Sequence, residues 1–252
     1  MLLCKAYCFV ADNNTVRQGC TMYTYMFFDL FFPSKCVGCG KFGKSICSLC
    51  EKNIQPIQKD VCPACFYPSK LGFAHDRCKT HTYLDGALAL TQYKGVMRKI
   101  IKEAKYRLAY KIITDFLSVV PPHWYEKFKS TQILFPNMVL CPVPLHRERY
   151  NRRGFNQAEI IAKGLGKRLN IHTETILQRI KNTTPQAQQK SRAQRKLNIM
   201  NAFTAAATTK IQNKVVVLVD DLFTSGSTAN EAARVLKENG ADRVFLFTLA
   251  HG

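Results

Sequence analysis

Two adjacent carboxylates, Asp220 and Asp221, precede Leu222 and Phe223 and then a run of small hydroxyl residues around one glycine, Thr224-Ser225-Gly226-Ser227-Thr228. The two groups suit different parts of one ligand. Hydroxyls and unpaired backbone N–H groups at the start of a helix make an anion cradle, because a helix end offers free donors and positive potential. Gly226 lets the backbone come close to the anion. Carboxylates accept hydrogen bonds from hydroxyls, so a phosphate beside an acidic pair suggests a sugar phosphate. The plainer alternative is a capped helix with Asp220 and Asp221 as an ordinary turn.

The elements that must hold this turn can be read on either side of it. Val215-Val216-Val217-Leu218-Val219 is a mostly β-branched apolar run, which predicts a buried parallel strand. Ala229, Ala232, Ala233 and Leu236 recur at helical spacing, and Gly240 stands where a helix ends. The acidic pair therefore lies at the carboxyl end of a strand, where open α/β sheets bind ligands. Upstream, Val139-Leu140-Cys141-Pro142-Val143-Pro144-Leu145-His146 reads as a second strand entering a loop. Asn156 or a neighbour caps a helix carrying Ile160, Ile161 and Leu165.

A second chemistry is concentrated nearer the start. Of 11 cysteines, seven lie between Cys36 and Cys78. They form the pairs Cys36/Cys39, Cys47/Cys50 and Cys62/Cys65, and Cys78 has His81 at the same spacing. Such turns aim two ligands at one ion, and two turns complete a tetrahedron. The simplest assignment is one Cys4 zinc site and one Cys3His site built from Cys62, Cys65, Cys78 and His81. Cross-bracing is an alternative pairing, and His75 is a competing ligand. Redox CxxC motifs come singly between a strand and a helix, which disfavours that reading. Closed four-ligand zinc sites are structural, and here the metal would supply folding energy to a segment with little core.

Lys and Arg total 37 against 17 Asp and Glu, a formal charge of +20, which favours polyanionic partners. With 46% hydrophobic residues, wholesale disorder is excluded. The apolar run around Met26–Phe32 is interrupted by Asp29 and too short to span a bilayer, and the opening residues make a poor signal peptide. A cytoplasmic protein is expected, with translation beginning at Met1, Met22 or Met26. The chain divides into a poorly ordered extension (1–25), a Cys-rich double zinc module (26–81), a basic helical linker or hood (82–132) and an α/β domain (133–252). The basic stretch Lys94, Arg98, Lys99, Lys102, Lys105, Arg107 and Lys111 suits single-stranded DNA. Tyr93, Tyr106 and Tyr110 are expected to pack against the sheet, with base stacking as the alternative.

The run VVVLVDDLFTSGSTANEA resembles the signature of type I phosphoribosyltransferases along its length. The Cys pairs, YKGVMRKIIKEAKY, the PVPLH loop, RRGFNQAE, TPQ…R…N…AF and that signature occur in the order found in the ComF family, and the resemblance covers about residues 26–252. It implies a type I phosphoribosyltransferase fold, a parallel sheet flanked by helices, with an N-terminal zinc module. It also implies binding of phosphoribosyl pyrophosphate (PRPP) with Mg²⁺ by Asp220, Asp221, Leu222 and the Thr224–Thr228 turn. Asp220 and Asp221 would take the ribose hydroxyls, and Thr224 to Thr228 the 5′-phosphate. The PVPLH loop would meet pyrophosphate. The basic 181–201 segment would close over it, with Arg192, Arg195 or Lys196 stabilising the leaving group. Residues 141–200 carry 13 Lys or Arg against three Glu, which fits a polyanion. ComF proteins are linked to natural transformation, which implies handling of single-stranded DNA and contact with other competence proteins at the inner face of the membrane. Two departures from the family pattern are His81 where a Cys is usual, and the N-terminal extension.

Overall fold

The structure, a computed structural model, describes residues 34–106, 109–184, 191–206 and 211–252. The 1–25 extension, the alternative starts at Met22 and Met26, and residues 185–190 of the expected closing loop lie outside the described residues. Lys35–Gly252 forms one compact unit.

Four parallel strands make the central sheet: β1 (Gly86–Gln92), β2 (Met138–Pro142), β5 (Val215–Phe223) and β6 (Arg243–His251), in the order β1-β6-β5-β2. A short antiparallel ladder pairs β3 (Leu177–Arg179) with β4 (Phe203–Ala205). In β5 the strand period of two divides the apolar run between two cores. Val215, Val217 and Val219 join one core with Ile161 and Leu165 of the Gln157–Leu169 helix and Phe116 of the Ala109–Val119 helix. Val216 and Leu218 join the other, with Ala229, Ala232, Ala233 and Leu236 of the Ser227–Glu238 helix. Burial on both faces explains why this run is continuously apolar rather than alternating. Each fully buried Val or Leu is worth about 1.5–3 kcal/mol over an exposed one.

The expected linker between residues 82 and 132 requires a correction. Its first part, GALALTQ, is β1, an edge strand hydrogen-bonded to β6 with Gly86 opposite Phe245 and Gln92 opposite His251. Its apolar run is brief and gives way at once to a basic helix, so the strand signal was masked. Thr91 is fully buried within it, and its hydroxyl donates to the Leu249 carbonyl at 2.7 Å. The remainder is helical among the described residues, beginning with Gly95–Glu103, whose Met97, Ile100 and Ile101 are buried while Arg98, Lys99 and Lys102 face solvent. The packing expected of the tyrosines holds only for Tyr93, half-buried against the core; Tyr106 and Tyr110 are exposed.

The Cys-rich segment lies along the outer edge of β1. Ile57 N–H donates to Leu90 O at 2.9 Å, Gln92 N–H to Gln55 O at 3.0 Å, and Ala74 N–H to Asp85 O at 2.8 Å. Cys36, Ile46, Cys50 and Ile54 share the core of Leu88, Leu90 and Met97. The module therefore covers a sheet edge that would otherwise present unpaired backbone groups.

Candidate functional site

The eight metal-ligating groups fall into two clusters, and the second corrects the sequence assignment. Cys36, Cys39, Cys47 and Cys50 bring their sulfurs within 4.8 Å of one another, and so do Cys62, Cys65, His75 and Cys78 their ligand atoms. The fourth member of that cluster is His75 rather than His81. His75 Nδ1 lies 3.4 Å from Cys65 Sγ, and its Nε2 lies 3.2 Å from the Pro68 carbonyl. A carbonyl can only accept, so Nε2 carries the proton and Nδ1 keeps its lone pair for metal; this is the outer contact that orients a ligating histidine. His81, at the end of the Asp76–His81 turn of 3₁₀ helix, is exposed and lines a groove of about 890 Å³ beside Ser225, Gly226 and Ser227. The matching CxxH spacing of Cys78 and His81 was misleading because the 3₁₀ helix carries the chain away from the cluster.

Cys39 Sγ and Cys47 Sγ are 3.6 Å apart, close to the roughly 3.8 Å that a tetrahedron with zinc–sulfur bonds of about 2.3 Å requires. Burial opposes ionisation of Cys36, but the backbone N–H groups of Cys47, Cys39 and Gly38 outweigh it and lower the thiol to about 6. Cys62 is lowered to about 7 in the same way, by the amides of Cys65, His75 and Ala64 against the effect of burial. Donor set, spacing and amide support all fit zinc, and both sites are closed.

The acidic pair and the hydroxyl turn line a single cavity of about 540 Å³ at the carboxyl end of β5. Gly226 is the N-cap of the Ser227–Glu238 helix with φ +71°, a left-handed conformation open to glycine, and no side chain caps that helix start. Ser225 Oγ and Ser227 Oγ are 3.0 Å apart. The opposite wall is Val143, Pro144 and Leu145 after β2, where Asn156 Nδ2 donates to the Val143 carbonyl at 3.1 Å and Asn156 Oδ1 accepts from Ala158 N–H, capping the next helix.

Six cations line the same cavity: Arg98, Lys105, Arg149, Arg153, Arg179 and Arg195. Sequence reasoning singled out Arg195. Arg149 and Arg179 enter there only through the charge excess, Arg153 also through the RRGFNQAE motif, and Arg98 and Lys105 through the basic stretch that suits DNA. The signal for Arg149 and Arg153 was their four-residue spacing, which puts both on one face of the Arg147–Arg153 helix. Arg192 is the first residue of the Arg192–Ile199 helix, capped by Ser191 and Gln194 in a reciprocal box. Within that helix, Asn198 Nδ2 donates to Thr184 O at 2.8 Å, and Thr184 N–H donates back to Asn198 Oδ1 at 3.2 Å.

The charges in this cavity work against one another. Burial, then the Asp221 carboxylate, pushes Asp220 up to about 7. Burial, then Arg149, lowers Arg179 to about 10, and Arg149 and Arg153 are lowered too, by burial first and then by neighbouring guanidiniums. Arg179 Nη2 donates to Thr183 Oγ1 at 2.5 Å, its guanidinium sits 5.4 Å from the Phe203 ring centroid, and its Nε has no partner. Arg149 donates to the Thr183 carbonyl. Crowded cations with spare donors gain most from an anion that spans them.

Among the described residues, no helix is long and apolar enough to cross a membrane. Residues 151–252 match the phosphoribosyl transferase domain and residues 27–79 the double zinc ribbon domain. The molecule is thus a type I phosphoribosyltransferase fold carrying a double zinc ribbon with structural zinc. Three relatives share most of its length. Competence protein F of Haemophilus influenzae is 28% identical, over 87% of this chain and 98% of its own. Competence protein ComFC of Bacillus subtilis is 30% identical, over 82% and 84%. DNA utilization protein YhgH of Escherichia coli K12 is 27% identical, over 81% and 89%. The chain belongs to the ComF family.

Proposed function

We propose that the cavity binds PRPP with Mg²⁺ and that the protein serves natural transformation at the cytoplasmic face of the membrane, handling single-stranded DNA beside other competence proteins. The observation that carries the first part is the convergence of Asp220, Asp221, the Thr224–Thr228 turn and six cations on one cavity. In this reading the turn holds the 5′-phosphate, Asp220 and Asp221 accept from the ribose hydroxyls, and the arginines meet the pyrophosphate. Mg²⁺, when bound, neutralises pyrophosphate through oxygen ligands and retained water. If a nucleophile attacks the anomeric carbon, the bond to pyrophosphate breaks with inversion and the electron pair leaves on pyrophosphate. Arg195, with Arg192 close to it in the chain, stabilises that charge, and no covalent nucleophile on the protein is needed.

The DNA part is supported by the names of the relatives and by exposed Lys99 and Lys102, with Tyr106 and Tyr110 exposed nearby in the chain. A second reading, an active phosphoribosyltransferase of nucleotide metabolism, is favoured by the intact acidic pair and turn. Calorimetric titration with PRPP, with and without Mg²⁺, tests the first reading. The double variant Asp220→Asn, Asp221→Asn should lose PRPP binding and keep its zinc; unchanged affinity would remove the site assignment. Pyrophosphate release on adding candidate bases separates turnover from binding alone.

A further inference from the structure

The two zinc turns share one pattern of backbone hydrogen bonds but differ at the residue after the second cysteine. In the first, Gly40 N–H donates to Cys36 O at 2.8 Å and Cys36 N–H donates to Lys41 O at 2.8 Å. In the second, Phe66 N–H donates to Cys62 O and Cys62 N–H donates to Tyr67 O, both at 2.9 Å. Both turns need a left-handed residue straight after the second cysteine: Gly40 has φ +78° and Phe66 has φ +63°. Glycine takes that conformation freely, whereas a bulky aromatic held there is strained and needs a compensating contact.

The compensation lies at the ends of β5 and β6, next to the Thr224–Thr228 turn. The Phe66 ring stacks on Phe223 at 5.5 Å between centroids and on His251 at 6.0 Å, and Phe223 stacks on His251 at 4.9 Å. Phe223 is buried and is the residue before Thr224. A Cβ placed on Gly226 would lie 2.9 Å from Phe223 Cε2 and 3.7 Å from the Pro63 carbonyl. The turn therefore rests on the Phe223 ring, and the second zinc turn, Cys62-Pro63-Ala64-Cys65-Phe66, braces that ring from below.

We infer that Phe66 is a positioning residue that couples the Cys62/Cys65/His75/Cys78 zinc site to the anion turn, so that metal there and anion at Thr224–Thr228 strengthen each other's binding. The inference rests on the reading of that turn as the seat of the 5′-phosphate. Coupling between bound groups is reciprocal. PRPP must therefore slow zinc loss from this site, while the Cys36/Cys39/Cys47/Cys50 site, whose turn carries glycine, is left unaffected.

Phe66→Gly provides the test in the full-length zinc-loaded protein, because it relieves the backbone strain while removing the ring. The variant should keep both zinc ions, bind PRPP about three- to tenfold more weakly, as loss of the stack on Phe223 implies, and exchange its Thr224–Thr228 amides faster. Phe66→Tyr should restore both readouts. In the wild type under a chelator, PRPP should slow alkylation of Cys62, Cys65 and Cys78, read by mass spectrometry, and leave Cys36 and Cys39 unchanged. Unchanged affinity and unchanged amide exchange in Phe66→Gly would overturn the coupling, and a loss of affinity that only follows zinc loss would overturn Phe66 as the residue that carries it. If the wild type binds no PRPP, the proposed function falls, and amide exchange of the turn before and after zinc removal still decides the coupling.

Discussion

Raising the pH from 6 to 8 should strengthen PRPP binding about eight- to tenfold through Asp220 alone. Burial and the Asp221 carboxylate hold Asp220 near 7, so about a tenth of it is ionised at pH 6 and about nine-tenths at pH 8. A ribose hydroxyl donates best to the ionised form, so the change in affinity follows the ionised fraction. The ligand's own phosphates also titrate, and Asp220→Asn supplies the control: the difference between wild type and variant isolates the carboxylate. Titration calorimetry at pH 6, 7 and 8, in two buffers of different ionisation enthalpy, reads both affinity and proton release. Folding stability should move the other way. A carboxyl raised in the folded state contributes stability fully present below the unfolded value of 3.8 and lost as pH rises through about 7. The melting temperature of the wild type relative to Asp220→Asn should therefore fall between pH 5 and pH 8. If the two proteins show the same pH dependence of affinity across 6 to 8, the electrostatic account of the acidic pair is refuted.

Three further outcomes are expected. His75→Ala should lose one zinc ion per chain by elemental analysis, whereas His81→Ala should keep two; equal zinc in both variants would contradict the ligand set. Arg179→Met should weaken PRPP binding by about 1.5–3 kcal/mol, the worth of hydrogen bonds to a charged group, as measured by calorimetry, with the fold unchanged by circular dichroism. Zinc removal should raise hydrogen exchange first between residues 35 and 81 and then at the Gln92 amide, which donates to Gln55; uniform exchange across the sheet would count against structural zinc.

The phosphate strand, turn and helix were legible because three independent signals coincide there: a β-branched run, small hydroxyl residues and alanines at helical spacing. Position in the chain alone sufficed to put Asp220 and Asp221 at the end of a strand. Of the cationic wall only Arg195 was legible, since Arg98, Arg149 and Arg179 come from three distant segments and only the tertiary fold brings them to one cavity. β1 was missed because its period gives way within two residues to a basic helix. The CxxH spacing favours His81 in the sequence, whereas the fold brings His75 Nδ1 beside Cys65 Sγ, which no pattern of cysteines reports.

The ribbon segment clasps the flank of β1 through Gln55, Ile57 and Ala74, and this limits how the molecule can be cut. A fragment started near residue 82 would carry a raw strand margin, open to pairing with neighbouring copies and prone to precipitate. A fragment ended there would lack the scaffold that Ile46 and Ile54 lean on. Anyone dissecting this protein should change single side chains rather than trim it into halves, because the two family segments meet within one compact unit.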